Sequence, residues 1–176
     1  MSGIPSKTLH VAWAGLKGDR CSTPTCGRVP EVRLVLHHDH LANFARAELL
    51  RLLKAKGLEG RHGQIWQMHA ADLRRLSLVR FAPAWICEEC NHGDGRGKDR
   101  RYRGRTTRMY PSSFSMTPAE LRRTTGPNGW DEAAKEIWHG ARLDHRRRRT
   151  VIRQWAVTVA RADGAAGPAA PKTLPN

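Results

Sequence analysis

The 176-residue chain has no stretch of about eighteen consecutive apolar residues, which excludes a helix of that kind crossing a bilayer. Its first residues, MSGIPSKTLHVAWAG, lack a charged segment leading into a continuous apolar run. No secretory signal is therefore expected, and the expected location is a reducing cytoplasm. No internal repeat is visible. Cysteine is scarce, at four residues, and in a reducing compartment four thiols suit a metal better than two disulfides. Acidic residues are also few: 16 Asp and Glu stand against 31 Lys and Arg, for a formal charge of +15 and a pI near 10.9. Arg carries this excess far more than Lys, and a planar guanidinium binds phosphate in bidentate fashion. Nucleic acid is the expected partner. A membrane surface is the other polyanion, but the basic runs are not interleaved with the apolar stripe of an interfacial helix.

What is present reads as one domain of ordinary size with a buried core. Residues 1–20, with an apolar patch from Leu9 to Leu16 around Trp13, are a packing arm. The run CSTPTCGR is a turn with two cysteines, and EVRLVLHHDH has the β-branched, alternating character of a strand that ends in a polar cluster. From Leu41 to Leu58 apolar residues recur at three and four, and Gly57 after a Lys-rich end is a stop, so a helix is expected there. A looser stretch, RHGQIWQMHAADLRRLS, follows, and LVRFAPAWICEECN then leads through a short strand broken at Pro83 into the second cysteine pair.

The glycines and arginines of GDGRGKDRRYRGRTTR predict a short helical start followed by a basic loop. Thr117, Pro118 and Glu120 form a helix N-terminus: a capping threonine, proline at the first helical position and a glutamate closing a capping box. Further helices are expected from about Asp131 to Arg142 and from about His145 to Arg161. In them Trp138, Ile152, Trp155 and Val159, with Trp130, read as packing positions. Residues 162–176, rich in Ala, Gly and Pro, are expected to be disordered.

Cys21 and Cys26 are four residues apart and Cys87 and Cys90 two apart, so each pair can place two thiolates on one side of a tight turn. Together they suit tetrahedral zinc, which in a structural site prefers four closed ligands. Such a site pins a fold and leaves no open position for catalysis. Beside it stand His37, His38, Asp39 and His40 at the end of the first strand, and Asn91 directly after the last cysteine. Three histidines and a carboxylate in four residues are poorly explained by packing, because a strand turns alternate side chains to opposite faces.

LVLHHDH followed at a distance by ICEECNHGDG resembles the HNH (ββα-metal, or His-Me finger) endonucleases, and within them the recombination endonuclease VII-like and phage-type proteins. The resemblance spans about Cys21 to Gly95. It implies an α+β fold with a zinc-stapled ββα-metal core, here with an inserted helix and a helical C-terminal extension. The expected organisation is a nuclease domain over 21–110, with the zinc site and a basic loop, followed by helices over 111–161. It also implies a second, catalytic divalent ion, magnesium or manganese, and hydrolysis of DNA phosphodiesters by a histidine general base.

Two registers fit that resemblance. In one, His37 binds the ion and His38 is the base; in the other, Asp39 binds the ion and His40 is the base. Asn91 serves in both, and Asp94 matches an acidic position that helps hold the metal.

Arg96, Lys98, Arg100, Arg101, Arg103, Arg105 and Arg108 follow the proposed catalytic helix and are placed to grip phosphates, with Gly97 and Gly104 allowing close approach to a duplex. A second run, Arg146 to Arg149, reads equally as a solvated face. The expected partner is DNA, duplex or branched, with a homodimer left open. Two other readings share the zinc site: a non-catalytic zinc-finger module binding DNA or RNA, and a structural zinc protein of a nucleoprotein assembly.

Overall fold

The computed structural model describes residues 20–24, 26, 33–77, 80–98, 100–102, 105–124 and 130–165. The N-terminal arm with Trp13, the tail beyond residue 165, Arg103 and Gly104 lie outside them. So do the side chains of Arg100, Arg101, Arg105 and Trp130.

The chain is α+β and mostly helical. Strand β1 (Leu34–His37) pairs antiparallel with β2 (Ala84–Cys87), so that Leu34 faces Cys87 and His37 faces Ala84. Cys87 and His37 thus stand at opposite ends of one short ribbon, about 10 Å apart along the strands at roughly 3.3 Å per residue. Proline cannot donate to a ladder, and β2 begins directly after Pro83.

Between the strands lies helix α1 (Leu41–Lys54), as the apolar spacing predicts, with Leu41, Ala45, Leu49 and Leu53 buried along one face. Gly57 ends it in the left-handed region, at φ 68°. The Gly57 amide donates to the Lys54 carbonyl (3.1 Å) and the Leu58 amide to the Leu53 carbonyl (2.9 Å), a glycine-dependent cap that satisfies the last carbonyls. The looser stretch that follows is also helical. A 3₁₀ turn (Glu59–Arg61) leads into α2 (His62–Met68) and α3 (Ala70–Ser77), so the insertion is three helices, not one. Ile65, Trp66 and Leu73 from this stretch join the face of α1. That burial outweighs the weak local signal of a Gly- and His-containing stretch.

Helix α4 (Glu88–Lys98) leaves β2 directly, with Glu88 and Glu89 at its positive end and Arg96 and Lys98 at its negative end, as the helix dipole favours. It is longer than expected from a glycine-rich sequence, and the residues after it form a hairpin, β3 (Arg100–Tyr102) with β4 (Arg105–Thr107), in place of a basic loop. Helix α5 (Pro118–Thr124) starts as predicted: the Glu120 amide donates to Thr117 Oγ1 (3.1 Å), and the Thr117 amide to the Glu120 carboxylate (2.7 Å). The two helices expected after residue 130 are one, α6 (Trp130–Ala165), which also carries residues 162–165 assigned above to a disordered tail. At 1.5 Å per residue its 36 residues extend about 54 Å.

Two cores result. One gathers α1, α2 and α3 against Ile152, Ala156, Val159 and Ala160 of α6. The other gathers Ile86, Cys87, Cys90, Tyr110, Phe114, Met116 and Leu121 against Ala134 and Ile137 of the same helix. Trp155 and Trp138 pack at the edges of these cores, as read from their spacing. No helix among the described residues is long and apolar enough to cross a membrane.

Candidate metal centre and histidine cluster

The two knuckles meet. Cys21, Cys26, Cys87 and Cys90 are free thiols whose sulfurs all lie within 4.8 Å of one another. Three of the Sγ–Sγ separations are 3.8 to 3.9 Å. A tetrahedron of thiolates about 2.3 Å from zinc has sulfurs about 3.8 Å apart, so the four residues could hold a metal such as zinc with little rearrangement. The knuckle backbone is shaped for this. The Cys87 amide points at Cys21 Sγ (3.2 Å), the Cys26 amide donates to the Thr23 carbonyl (3.1 Å), and the Ser22 amide ties the first knuckle to the Trp85 carbonyl on β2 (2.8 Å). Burial opposes ionisation of Cys21, but hydrogen bonds from Thr23 and the Cys87 amide outweigh it and bring that thiol down to about 7. Burial pushes the Cys90 thiol up.

At the other end of the ribbon His37 is buried, with its ring stacked on Phe81 at 5.1 Å. Its Nε2 lies 2.6 Å from the Met116 carbonyl and therefore donates to it, which leaves the lone pair on Nδ1. Asn91, one turn into α4, hydrogen-bonds the same ring. Burial, foremost, holds His37 below the usual imidazole range, so the ring is neutral.

His38 is also buried. Its Nδ1 is 3.0 Å from the Asp39 carbonyl, which makes Nδ1 the donor and puts the lone pair on Nε2. The His40 ring stands 5.1 Å from that of His38 and is pulled down to about 3, by burial first and then by the charge of Lys98. Asp39 is buried at 1% exposure; Oδ1 accepts the Leu41 amide at the head of α1 (3.3 Å), while Oδ2 has no partner among the described residues. Burial raises its carboxyl to about 6.

No family model, curated protein or solved structure matches this chain. The chemistry of the site rests on its own atoms, and here two sequence expectations change. Asp94, expected to help hold a divalent ion, is engaged at both oxygens. Oδ1 accepts the Met116 amide (3.0 Å), and Oδ2 forms a buried ion pair with Lys98. Met116 thus gives its N–H to Asp94 and its carbonyl to His37, so Asp94 positions the His37 ring through the backbone of one residue. Lys98, expected to grip phosphate, is buried, and its ammonium is spent on Asp94 and Ser115 Oγ (3.2 Å).

Gly97 does not face a duplex; the Tyr110 ring lies across it, with its hydroxyl donating to the Asp94 carbonyl (2.8 Å). Of the basic residues with described side chains, Arg96 and Arg108 are exposed. Sequence reasoning also missed Arg80, which donates to the Ser115 carbonyl (2.7 Å) and the Glu120 carboxylate (2.6 Å) and so fastens the loop beneath His37. Its partners are 35 and 40 residues away, and no local pattern announces them.

Proposed function

We propose that the chain is a metal-dependent DNA endonuclease of the HNH, or ββα-metal, type. The observation that carries this reading is the meeting of His37, at the end of β1, with Asn91, on the helix that follows β2. A metal-ligating histidine typically gives its other N–H to a carbonyl or carboxylate, and His37 gives Nε2–H to Met116. Its Nδ1 and the Asn91 side-chain oxygen suit a divalent ion such as magnesium or manganese. The unpartnered Oδ2 of Asp39 is the acidic atom of the cluster left to complete the set. When bound, such an ion offsets charge growing on a non-bridging phosphate oxygen and on the leaving 3′ oxygen.

The chain's own residues do the rest. His38 holds its lone pair on Nε2 because Nδ1 donates to the Asp39 carbonyl, and that nitrogen can take a proton from a water aimed at phosphorus. Phe81 and Met116 keep the neighbouring His37 ring from turning. The four thiolates, holding zinc, clamp the far end of the ribbon, so β1 and α4 present His37, His38 and Asn91 on a rigid base. This favours His38 over His40 as the base, with His37 as a ligand of the ion.

A second reading has one observation in its favour. His37, His38 and Asp39 all hydrogen-bond backbone groups of the fold, as a non-catalytic zinc module that binds nucleic acid would arrange them. Supercoiled plasmid separates the two readings. Nicking that needs magnesium or manganese should fall about 10²- to 10⁴-fold in His38→Ala, the range for loss of a general base, and survive better in His40→Ala. Salt-sensitive binding with an intact plasmid under every condition would favour the zinc module.

A further inference from the structure

The run Arg146 to Arg149 on α6 is not one patch, because successive helical residues point about 100° apart. Arg146 and Arg147 are exposed. Arg149 lays its guanidinium over the Phe44 ring, 4.4 Å from its centroid, and is spent on packing. Arg148 is half-buried and lines two adjoining clefts along the middle of α6. The larger, of about 400 Å³, is also lined by Arg80, Arg123 and His145 and by the carboxylates Glu120, Glu136 and Asp144; the smaller, of about 300 Å³, by Arg75, Arg147 and the same Asp144.

The other cations of these clefts are compensated. Arg80 pairs with Glu120 (2.6 Å), Arg123 with Glu136 (2.7 Å), Arg75 with Asp72 (3.7 Å) and Arg147 with Asp144 (3.9 Å). Among the described residues Arg148 has no carboxylate at ion-pair distance. A half-buried guanidinium without an ion-pair partner keeps planar donors that an incoming anion can engage. A second group in the larger cleft is unsatisfied as well: His145 is 2% exposed, and its Nδ1 has no partner. The charge of Arg148 acts on both Asp39 and His145.

We propose that Arg148 seats a phosphate of the nucleic-acid backbone, in a subsite on the middle of α6. The occupant is a phosphodiester strand, because Arg148 offers a planar fork of donors suited to phosphate oxygens in a chain of net charge +15. The inference rests on the nucleic-acid half of the proposed function and is independent of its hydrolytic half.

The test is binding of a fluorescein-labelled DNA duplex by the full, zinc-loaded chain without added magnesium, followed by anisotropy across a salt series. Loss of one phosphate contact lowers the slope of log K against log salt by about 0.9. Arg148→Gln should show that loss, Arg148→Lys should retain most of the slope, and Arg161→Gln, an exposed charge elsewhere on α6, should leave it unchanged. An unchanged slope in Arg148→Gln, an equal loss in Arg161→Gln, or no binding by the native chain would overturn the subsite. Should binding behave as expected while plasmid stays intact, the subsite stands and the nuclease reading falls.

Discussion

Gly97 shows how one missing side chain sets the geometry around the site. It sits in α4 beneath Tyr110, and a Cβ there would lie 2.0 Å from Cζ of the ring. Alanine is the better helix former by about 1 kcal/mol. Overpacking costs about 1–3 kcal/mol and outweighs that gain, because Tyr110 is buried and pinned to the Asp94 carbonyl. Gly97→Ala should therefore destabilise the fold, whereas Gly95→Ala, with nothing within 4 Å, should stabilise it by up to about 1 kcal/mol. Urea midpoints for the two variants check the pair; a neutral Gly97→Ala would contradict the packing.

His145 makes a pH-dependent contribution. Its Nε2 is 3.0 Å from Ser113 Oγ, and burial first, then the charges of Arg149, Arg80 and Arg148, pull it down to about 4. Between that value and the ordinary 6.5 the unfolded chain binds a proton that the folded chain refuses. The contribution is therefore complete above pH 6.5 and is lost as pH falls towards 4. From pH 7 to pH 5 the loss is about 2 kcal/mol, and His145→Gln should flatten the decline by that amount. Denaturant titrations at the two pH values, native against variant, test this; parallel declines would contradict it.

At the scale of elements, legibility followed locality. Helix α1 was readable because its apolar residues recur within the segment and Gly57 stops it, and the start of α5 because Thr117 and Glu120 bond each other across one turn. Helix α4 runs further than its sequence suggests, because its glycines look like breakers. Gly93 and Gly97 are one turn apart and form the surface on which Leu121, Thr124 and Tyr110 pack, so tertiary contact offsets poor propensity. Helix α6 looks like two in the sequence because its apolar stripe changes partner. Ala134 and Ile137 face one core, Ile152 to Ala160 face the other, and the polar turns between them look like a break.

The candidate site divides the same way. The cysteines, the HHDH run and Asn91 were visible as motifs. The roles of Asp94, Lys98, Arg80 and His145 were not, since Met116, Ser115 and Ser113, which define them, lie on a distant loop.

The whole molecule is organised by α6, which enters both cores and joins the helical insertion to the cysteine-clamped ribbon. The clamp predicts one zinc ion per chain by elemental analysis. It also predicts loss of that ion and of cooperative thermal unfolding in Cys87→Ser, because a structural zinc contributes its binding free energy to folding. A Cys87→Ser chain that keeps its metal and its melting transition would contradict the clamp.

The proposed nuclease needs a second, exchangeable divalent ion at the end of the ribbon opposite the four cysteines. Its most direct test is the initial rate of plasmid nicking by zinc-loaded protein as magnesium is raised, for the native chain and for Asn91→Ala side by side. A nuclease of this kind should show saturable activation of the native chain and a rate at least about 100-fold lower in the variant, with its zinc content and DNA binding retained. Equal nicking by the two proteins, or none by the native chain at any magnesium concentration while DNA stays bound, would contradict it.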